Sequence, residues 1–311
     1  MPHRPRIVVV GSANTDLVVR TAHLPQPGET VLGGTFAQVG GGKGANQAVA
    51  AARAGGQVTF LAKLGDDDLA DAALRSYQAE GIDTTHITRA AGVASGVALI
   101  LIDATGENAI AVASGANSLL APADIDAAAD AIRQADVVLI QLEIPLETVR
   151  YAIEVAASAG RPVILNPAPA QPLDTELLAH VRLITPNETE ASMLTGQPVI
   201  DADSAARAAT RLVDLGVGLA IVTLGRGGCL VFAPTTAIGP RHLPGHQVTA
   251  IDTVAAGDVF NGTLAVALAE GRSLHDAAAF ANAAAAISVT RQGAQTSAPT
   301  RSEIDAMLKA E

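Results

Sequence analysis

The amino-acid sequence predicts an α/β protein: an open, mostly parallel sheet flanked by helices on both faces, with a small β-sheet lid. Three observations carry this expectation. Short β-rich runs alternate with Ala-rich runs of helical period, the pattern of parallel strands joined by crossover helices. The 311 residues suffice for a sizeable core. Two stretches, 15–39 and 96–113, break the alternation and read as strands outside the main sheet. No internal repeat, low-complexity linker or charge block divides the chain, so residues 1–311 are expected to form one domain with those segments inserted in it.

The elements follow in order. The apolar run Arg6–Val10 reads as the first strand. Beyond it, Asn14 and Asp16 are two apart, so an extended backbone projects both to one side, where an amide and a carboxylate can grip neighbouring hydroxyls. Residues 15–39 carry Pro25, Pro27, Gly28, Gly33 and Gly34 with apolar alternation between them. The run Gly40-Gly41-Gly42-Lys43-Gly44-Ala45-Asn46-Gln47-Ala48 then opens a helix expected over 43–54. Its glycines let a ligand touch the backbone, and Lys43 and Asn46 share a face. It is not a P-loop, because Gly44 stands where Ser or Thr is required. Gly40, Gly42 and Ala45 do fit G-x-G-x-x-A, but that dinucleotide fingerprint should follow a strand of the main sheet.

Gln57–Ala62 is the next strand, followed by a helix over 68–80. Residues 96–113 form a hairpin turning at Asp103-Ala104-Thr105-Gly106. With 15–39 they make a projecting sheet, either a lid over a cleft or a subunit interface. A helix over 122–134 leads to the strand Ala135–Gln141, after which Glu143 is exposed to a ligand edge. A helix over 146–159 precedes the strand Pro162–Leu165, with Asn166 at its end, and then the strand Val181–Ile184.

In Thr185-Pro186-Asn187-Glu188-Thr189-Glu190, Thr185 as N-cap and Glu188 at the third position make a capping box. That leaves Asn187 and Glu190 for function: they share a face and could hold Mg²⁺ through water together with nucleotide phosphates. A helix over 201–215 and the strand Gly218–Thr223 follow, with Thr223-Leu224-Gly225-Arg226-Gly227-Gly228 at the strand end. Ligands of open α/β sheets bind beyond the carboxyl ends of strands, and polar groups collect at those ends here.

The run Asp252-Thr253-Val254-Ala255-Ala256-Gly257-Asp258 enters a helix expected over 256–270, followed by another over 274–290. The N–H groups of Ala255, Ala256, Gly257 and Asp258 would sit at a helix N-terminus, where donors and dipole attract an anion such as phosphate. A carboxylate beside that cradle can take a proton from an attacking hydroxyl. The alternative is that Asp252 or Thr253 caps the helix and Asp258 complements its dipole.

Composition narrows the function classes. A net charge of −11 argues against a basic nucleic-acid surface, and 2% aromatic content against stacking platforms. The lone Cys229 excludes an internal disulfide and fits a reducing cytoplasm. No apolar run reaches membrane-spanning length. His242 and His246 are four apart, but Pro244 and Gly245 break the helix that would align them on a metal.

Taken together, these segments resemble the ribokinase family of small-molecule kinases. The likeness rests on Gly11-Ser12-Ala13-Asn14-Thr15-Asp16, Gly41 to Ala48, Asn166-Pro167-Ala168-Pro169-Ala170, Thr185 to Ala191 and Asp252 to Asp258, and runs nearly end to end. The resemblance implies ATP-dependent phosphorylation of D-ribose at its 5-hydroxyl. It implies Asp258 as the base, with Ala255, Ala256 and Gly257 contributing the anion hole. Sugar contacts would come from Asn14, Asp16, Gly42, Lys43, Asn46, Glu143 and Asp258. ATP would lie along Asn187, Thr223, Gly225, Gly228, Gly257 and Asn282. Glu190 would organise Mg²⁺ through water, and K⁺ would bind at Asp252, Val254, Ser288, Arg291, Gly293 and Ser297. The irregular segments would form a lid that pairs with a second copy in a homodimer, and the low aromatic content implies an aliphatic adenine pocket. Rival readings are a kinase for deoxyribose, another small sugar or a nucleoside; an NAD-dependent oxidoreductase; and a non-catalytic sugar sensor.

Overall fold

A computed structural model describes residues 4–234 and 239–310. Its strands are β1 (Arg6–Val10), β2 (Asn14–Arg20), β3 (Thr35–Gly41), β4 (Gln57–Gly65), β5 (Ile87–Ala90), β6 (Gly96–Ile102), β7 (Asn108–Ala113), β8 (Val137–Ile140), β9 (Val163–Leu165), β10 (Leu183–Ile184), β11 (Leu219–Thr223), β12 (Cys229–Phe232) and β13 (Arg241–Leu243). The main sheet runs β13-β12-β11-β10-β9-β8-β1-β4-β5. It is parallel from β11 to β5, and β12 and β13 add an antiparallel edge.

β1 shows why the sheet lies between two helical layers. Ile7 and Val9 pack into one core and Val8 and Val10 into the other. Both faces being covered, the strand reads as continuously apolar rather than alternating. Helices Lys43–Arg53, Ala256–Ala269 and Leu274–Ser288 pack on the first face, and Leu146–Ser158 and Ala202–Asp214 on the second.

The predicted small sheet is present, in the order β3-β2-β6-β7. β2 pairs parallel with β6 and antiparallel with β3, so that Asn14 lies between Gly96 and Gly41. Phe36, Leu99, Ile110 and Val112 on this sheet are each more than half exposed.

Some elements depart from expectation. The helix expected over 122–134 divides at Ala128 (φ −107°, ψ 7°) into Pro122–Ala127 and Ala129–Gln134. Alanine is the best helix former, so this break has no local signal. The short strands β5 and β13 at the two edges, and β12 beside β13, were not anticipated, being brief runs given order by pairing to longer neighbours.

The topology positions the site. From β1 the chain builds outward through β4 to β5; from β8, beside β1, it builds the opposite way through β9, β10 and β11. The loops leaving β1 and β8 therefore diverge, opening a crevice at the carboxyl ends of the strands. Asn14 and Asp16 follow β1, and Glu143 follows β8.

Candidate active site

A single hydrogen-bonded array joins the two loops. The Glu143 carboxylate accepts from Ser12 Oγ at 2.5 Å and from the Lys43 N–H at 3.0 Å. Glu143 thus occupies the N-terminus of helix Lys43–Arg53, where the dipole favours negative charge. The glycines beside it are needed for close approach. Gly42 has φ 85°, and a Cβ there would lie 2.6 Å from the Asn14 nitrogen; one on Gly41 would lie 2.2 Å from Asp16 Oδ1.

Asn14 is oriented by a residue that sequence reasoning missed. Asn117 donates from Nδ2 to Asn14 Oδ1 at 2.7 Å, and its own Oδ1 accepts the Ala13 N–H at 2.9 Å. A lone Asn in a 3₁₀ turn a hundred residues away carries no motif. With Glu143, Val112 and Pro169, these two asparagines line a cavity of about 460 Å³ between lid and body.

Asp258 lies at the floor of the site, 6% exposed, in the first turn of helix Ala256–Ala269. Asn46 Nδ2 donates to its Oδ2 and Gln47 Nε2 to its Oδ1, both at 2.9 Å. Burial raises its pKa, while Lys43 and the two amide bonds pull it back down and Glu143 adds to the rise. Asn46 Oδ1 is buried without a partner, which leaves an acceptor for a ligand hydroxyl.

Charges converge around this point. Burial, then Glu143, then Asp258 lift the Asp16 pKa to about 6. Burial acts against the charge on Lys43, but Asp258, Glu143 and Glu190 together outweigh it and raise its pKa. The seven residues expected to form one binding edge, Asn14, Asp16, Gly42, Lys43, Asn46, Glu143 and Asp258, thus converge on the β1–β8 crevice.

The turn before Asp258 corrects the capping alternative. The N-cap position is Ala255, with no side-chain cap bond. Asp252 instead accepts from the Val254 N–H through Oδ1 and from the Gly293 N–H through Oδ2, each at 3.0 Å. Ala255 has φ 60°, the only positive φ of a non-glycine among the described residues. A left-handed alanine is strained and persists where its surroundings over-determine it. The Ala256 N–H bonds the Thr253 carbonyl at 3.3 Å. A Cβ added at Gly257 would meet nothing within 4 Å, so the space above the helix N-terminus is open.

The segment after β10 corrects a second expectation. The capping box is formed by Asn187 and Glu190, not by Thr185 and Glu188. Asn187 Oδ1 accepts the Glu190 N–H and Glu190 Oε2 accepts the Asn187 N–H, both at 2.9 Å. Thr185 lies outside the helix, and its hydroxyl donates to Asn261 Oδ1 at 2.6 Å; the Pro186 carbonyl accepts the Thr223 N–H, and the helix begins at Glu188. Glu190 is 7% exposed. Burial raises its pKa, against the Asn187 bond and Lys43, with Asp258 adding to the rise. The two residues expected to serve a cation are therefore the ones that form the cap.

A larger cavity, about 660 Å³, adjoins the turn before Asp258 and is lined by Gly225, Asn282, Thr253 and Ala256 together with aliphatic Val248, Ala285, Ala286 and Val289. Asn282 Nδ2 donates to the Pro244 carbonyl at 2.8 Å. Gly228 has φ 88°, and a Cβ there would strike the Leu243 carbonyl at 2.1 Å, so it shapes the wall without lining the space. Thr223 and Asn187 form an isolated bridge beside the Glu190 cap and are not among the lining residues. His246 and Gln247, which also line the cavity, sit in a stretch whose sequence gave no periodic signal. The loops 252–254 and 291–297 are joined by the Asp252–Gly293 bond, and the Ile251 and Asp252 N–H groups bond the Val289 carbonyl at the end of helix Leu274–Ser288.

The dinucleotide reading fails on geometry: Gly40 lies on β3 of the small sheet, not after a main-sheet strand. Comparison with known proteins agrees. The model of the pfkB family of carbohydrate kinases matches residues 4–301. A ribokinase of Haemophilus influenzae is 45% identical over 300 residues, covering 96% of this chain and 97% of its own. A deoxyribokinase of Salmonella typhi is 40% identical, covering 97% and 98%. The structure of Arabidopsis thaliana ribokinase complexed with ribose and ATP superposes with a TM-score of 0.90 at 32% identity, covering 99% of each chain.

Proposed function

This chain belongs to the pfkB family of carbohydrate kinases, and from that premise we infer that it transfers the γ-phosphoryl group of ATP to the 5-hydroxyl of D-ribose, giving D-ribose 5-phosphate and ADP. One observation carries the mechanism. Asp258, buried and held by two amide donors, stands in the first helical turn beside the open space over Gly257. Base and phosphate cradle are adjacent by construction.

Ribose lies in the crevice against Asn14, Asp16, Gly42, Lys43, Asn46 and Glu143. The carboxylates accept its hydroxyls, and Asn46 Oδ1 offers a further acceptor. Asp258 accepts the proton of the 5-hydroxyl as that oxygen bonds the γ-phosphorus and the bond to the ADP oxygen breaks. The Gly257 and Asp258 amides and the helix dipole stabilise the charge on the transferring group. Ala256, whose N–H is already engaged, and Ala255 shape the turn. Lys43 keeps positive charge near a site holding four carboxylates.

The nucleotide fills the 660 Å³ cavity, with Ala285, Ala286 and Val289 as its aliphatic wall, Asn282 and Gly225 at its sides, and Asn187, Thr223 and Gly228 shaping the route to the phosphates. Glu190, a buried carboxylate, suits Mg²⁺ held through water, which neutralises phosphate charge when bound. The loops around Asp252, Val254, Ser288, Arg291, Gly293 and Ser297 offer backbone carbonyls suited to K⁺, beside the anion hole. Phe36 and Leu99, exposed on the face of the lid opposite Val112, give it an apolar surface that suits pairing with a second copy. The whole chain then acts as one kinase domain with the lid inserted, working in the cytoplasm where ATP and K⁺ are abundant.

The deoxyribokinase likeness keeps 2-deoxyribose as the rival substrate. Assaying ADP release with ATP, Mg²⁺ and K⁺ against a panel of pentoses, hexoses and nucleosides decides. The highest kcat/KM is expected for D-ribose, and a clear preference for deoxyribose or a nucleoside refutes the assignment.

A further inference from the structure

Gln47 lies in helix Lys43–Arg53, and the reading above uses it only as one of the two amide donors to Asp258. It is fully buried. Its Nε2 donates one proton to Asp258 Oδ1 at 2.9 Å and the other to Asn166 Oδ1 at 3.0 Å, while its Oε1 accepts from Gln141 Nε2 at 2.5 Å. The direction of these bonds is set by chemistry. An ionised carboxylate only accepts, so the amide nitrogen of Gln47 must face Asp258 and its oxygen must face a donor. Gln141 supplies that donor although its own Oε1 is then buried without a partner. An apolar pair would fill the same space without that loss.

The array continues from Asn166. Its Nδ2 donates to the Thr185 carbonyl at 3.2 Å, the Thr185 hydroxyl donates to Asn261 Oδ1, and Asn261 Nδ2 donates to the Gly257 carbonyl at 2.8 Å. A chain of buried side chains thus leaves one oxygen of Asp258, crosses the ends of β8, β9 and β10, and returns to the backbone just before Asp258.

We propose that Gln47 is a positioning residue for the catalytic base: with Asn46 on the opposite oxygen it fixes the rotation of the Asp258 carboxylate and favours its ionised form, while Gln141 and Asn166 fix Gln47. This rests on the reading of Asp258 as the base. Two donors on different oxygens leave the carboxylate one orientation, with the remaining lone pairs toward the crevice. The charged groups around Asp258 are Lys43 from helix Lys43–Arg53, Glu143 beyond β8, Asp16 on β2 and Glu190 from helix Glu188–Thr195. Of these only Lys43 favours the anion, and the two amide donors add to its effect.

The test is the pH profile of kcat at saturating ATP and D-ribose in full-length Gln47→Met, with Asp258→Asn in parallel. Saturation removes sugar-binding titrations from the readout. Loss of one donor to a carboxylate is expected to lower kcat about tenfold and to move the acid limb up by about one pH unit, with KM for ATP within about twofold. Should Gln47→Met not fold, Gln47→Glu keeps the shape and the bond from Gln141 but sets a second acid against Asp258, and is expected to raise the acid limb further. An unshifted acid limb in the folded variant overturns the proposal. If Asp258→Asn also retains kcat within tenfold, the base assignment itself is wrong; if Asp258→Asn alone collapses, only the role of Gln47 is.

Discussion

Asp16 is where sugar binding and stability are expected to conflict. It is 9% exposed, and burial, Glu143 and Asp258 all act in the same direction, lifting its pKa from 3.8 to about 6. A carboxylate harder to ionise in the folded state than in the unfolded chain makes the folded state less stable wherever it is charged. The cost is full above pH 6, declines as pH falls from 6 to 3.8, and vanishes below both values. The difference of about 2 units corresponds to about 3 kcal/mol at neutral pH. Asp16→Asn keeps the shape and removes the charge. Urea unfolding of the ligand-free variant at pH 7.5 should show a gain of up to about 3 kcal/mol over the unsubstituted protein, and the gain should disappear by pH 4. The same variant should lose at least about tenfold in kcat/KM for ribose, since an amide is a poorer acceptor for hydroxyls than a carboxylate. In the unsubstituted protein, KM for ribose should rise about tenfold per pH unit below 6 as Asp16 protonates. A variant no more stable at pH 7.5 than at pH 4, relative to the parent, would show that Asp16 is not an electrostatic burden and refute the reasoning.

Asp258→Asn should lower turnover by about 10²–10⁴-fold, the range for a positioned base, with ATP-analogue affinity by calorimetry unchanged; a fall under tenfold contradicts its role. Gly42→Ala should destabilise by roughly 2 kcal/mol or more, because the added Cβ meets the Asn14 backbone and φ 85° disfavours it; an unchanged melting curve would mean the loop relaxes at no cost. Asn117→Ala should raise KM for ribose about tenfold by releasing Asn14, with kcat little changed; an unaltered KM would mean Asn14 is held without it. Replacing K⁺ by Na⁺ should slow the reaction if the 252–254 and 291–297 loops hold the cation, whereas equal rates in both salts would remove that assignment.

Much of this protein is legible in its residues. Alternating apolar and Ala-rich runs dictate strands and crossover helices whatever their order in space, because each must bury its own apolar surface. The glycine-rich loop, the Asn14 and Asp16 pair and the Asp252 to Asp258 run announce a site because their chemistry is local: missing side chains, a shared face, a helix start. Local rules also misled where two solutions competed. Thr185 and Glu188 satisfy the capping pattern as well as Asn187 and Glu190 do, and the choice fell to the latter because Thr185 bonds Asn261 across the core.

What only the tertiary structure decided is everything that depends on strand order. Placing β1 beside β8 brings Glu143 to the helix that begins at Lys43, across a sequence separation of 100 residues. The same packing seats helix Ala256–Ala269 against helix Lys43–Arg53, so that Asn46 and Gln47 reach Asp258. Asn117 behind Asn14, and Gln141 behind Gln47, act through single hydrogen bonds between distant segments. A hydrogen bond needs only one atom from each partner within about 3 Å. It leaves no period, spacing or composition to read, and exists only once the fold has brought the two atoms together.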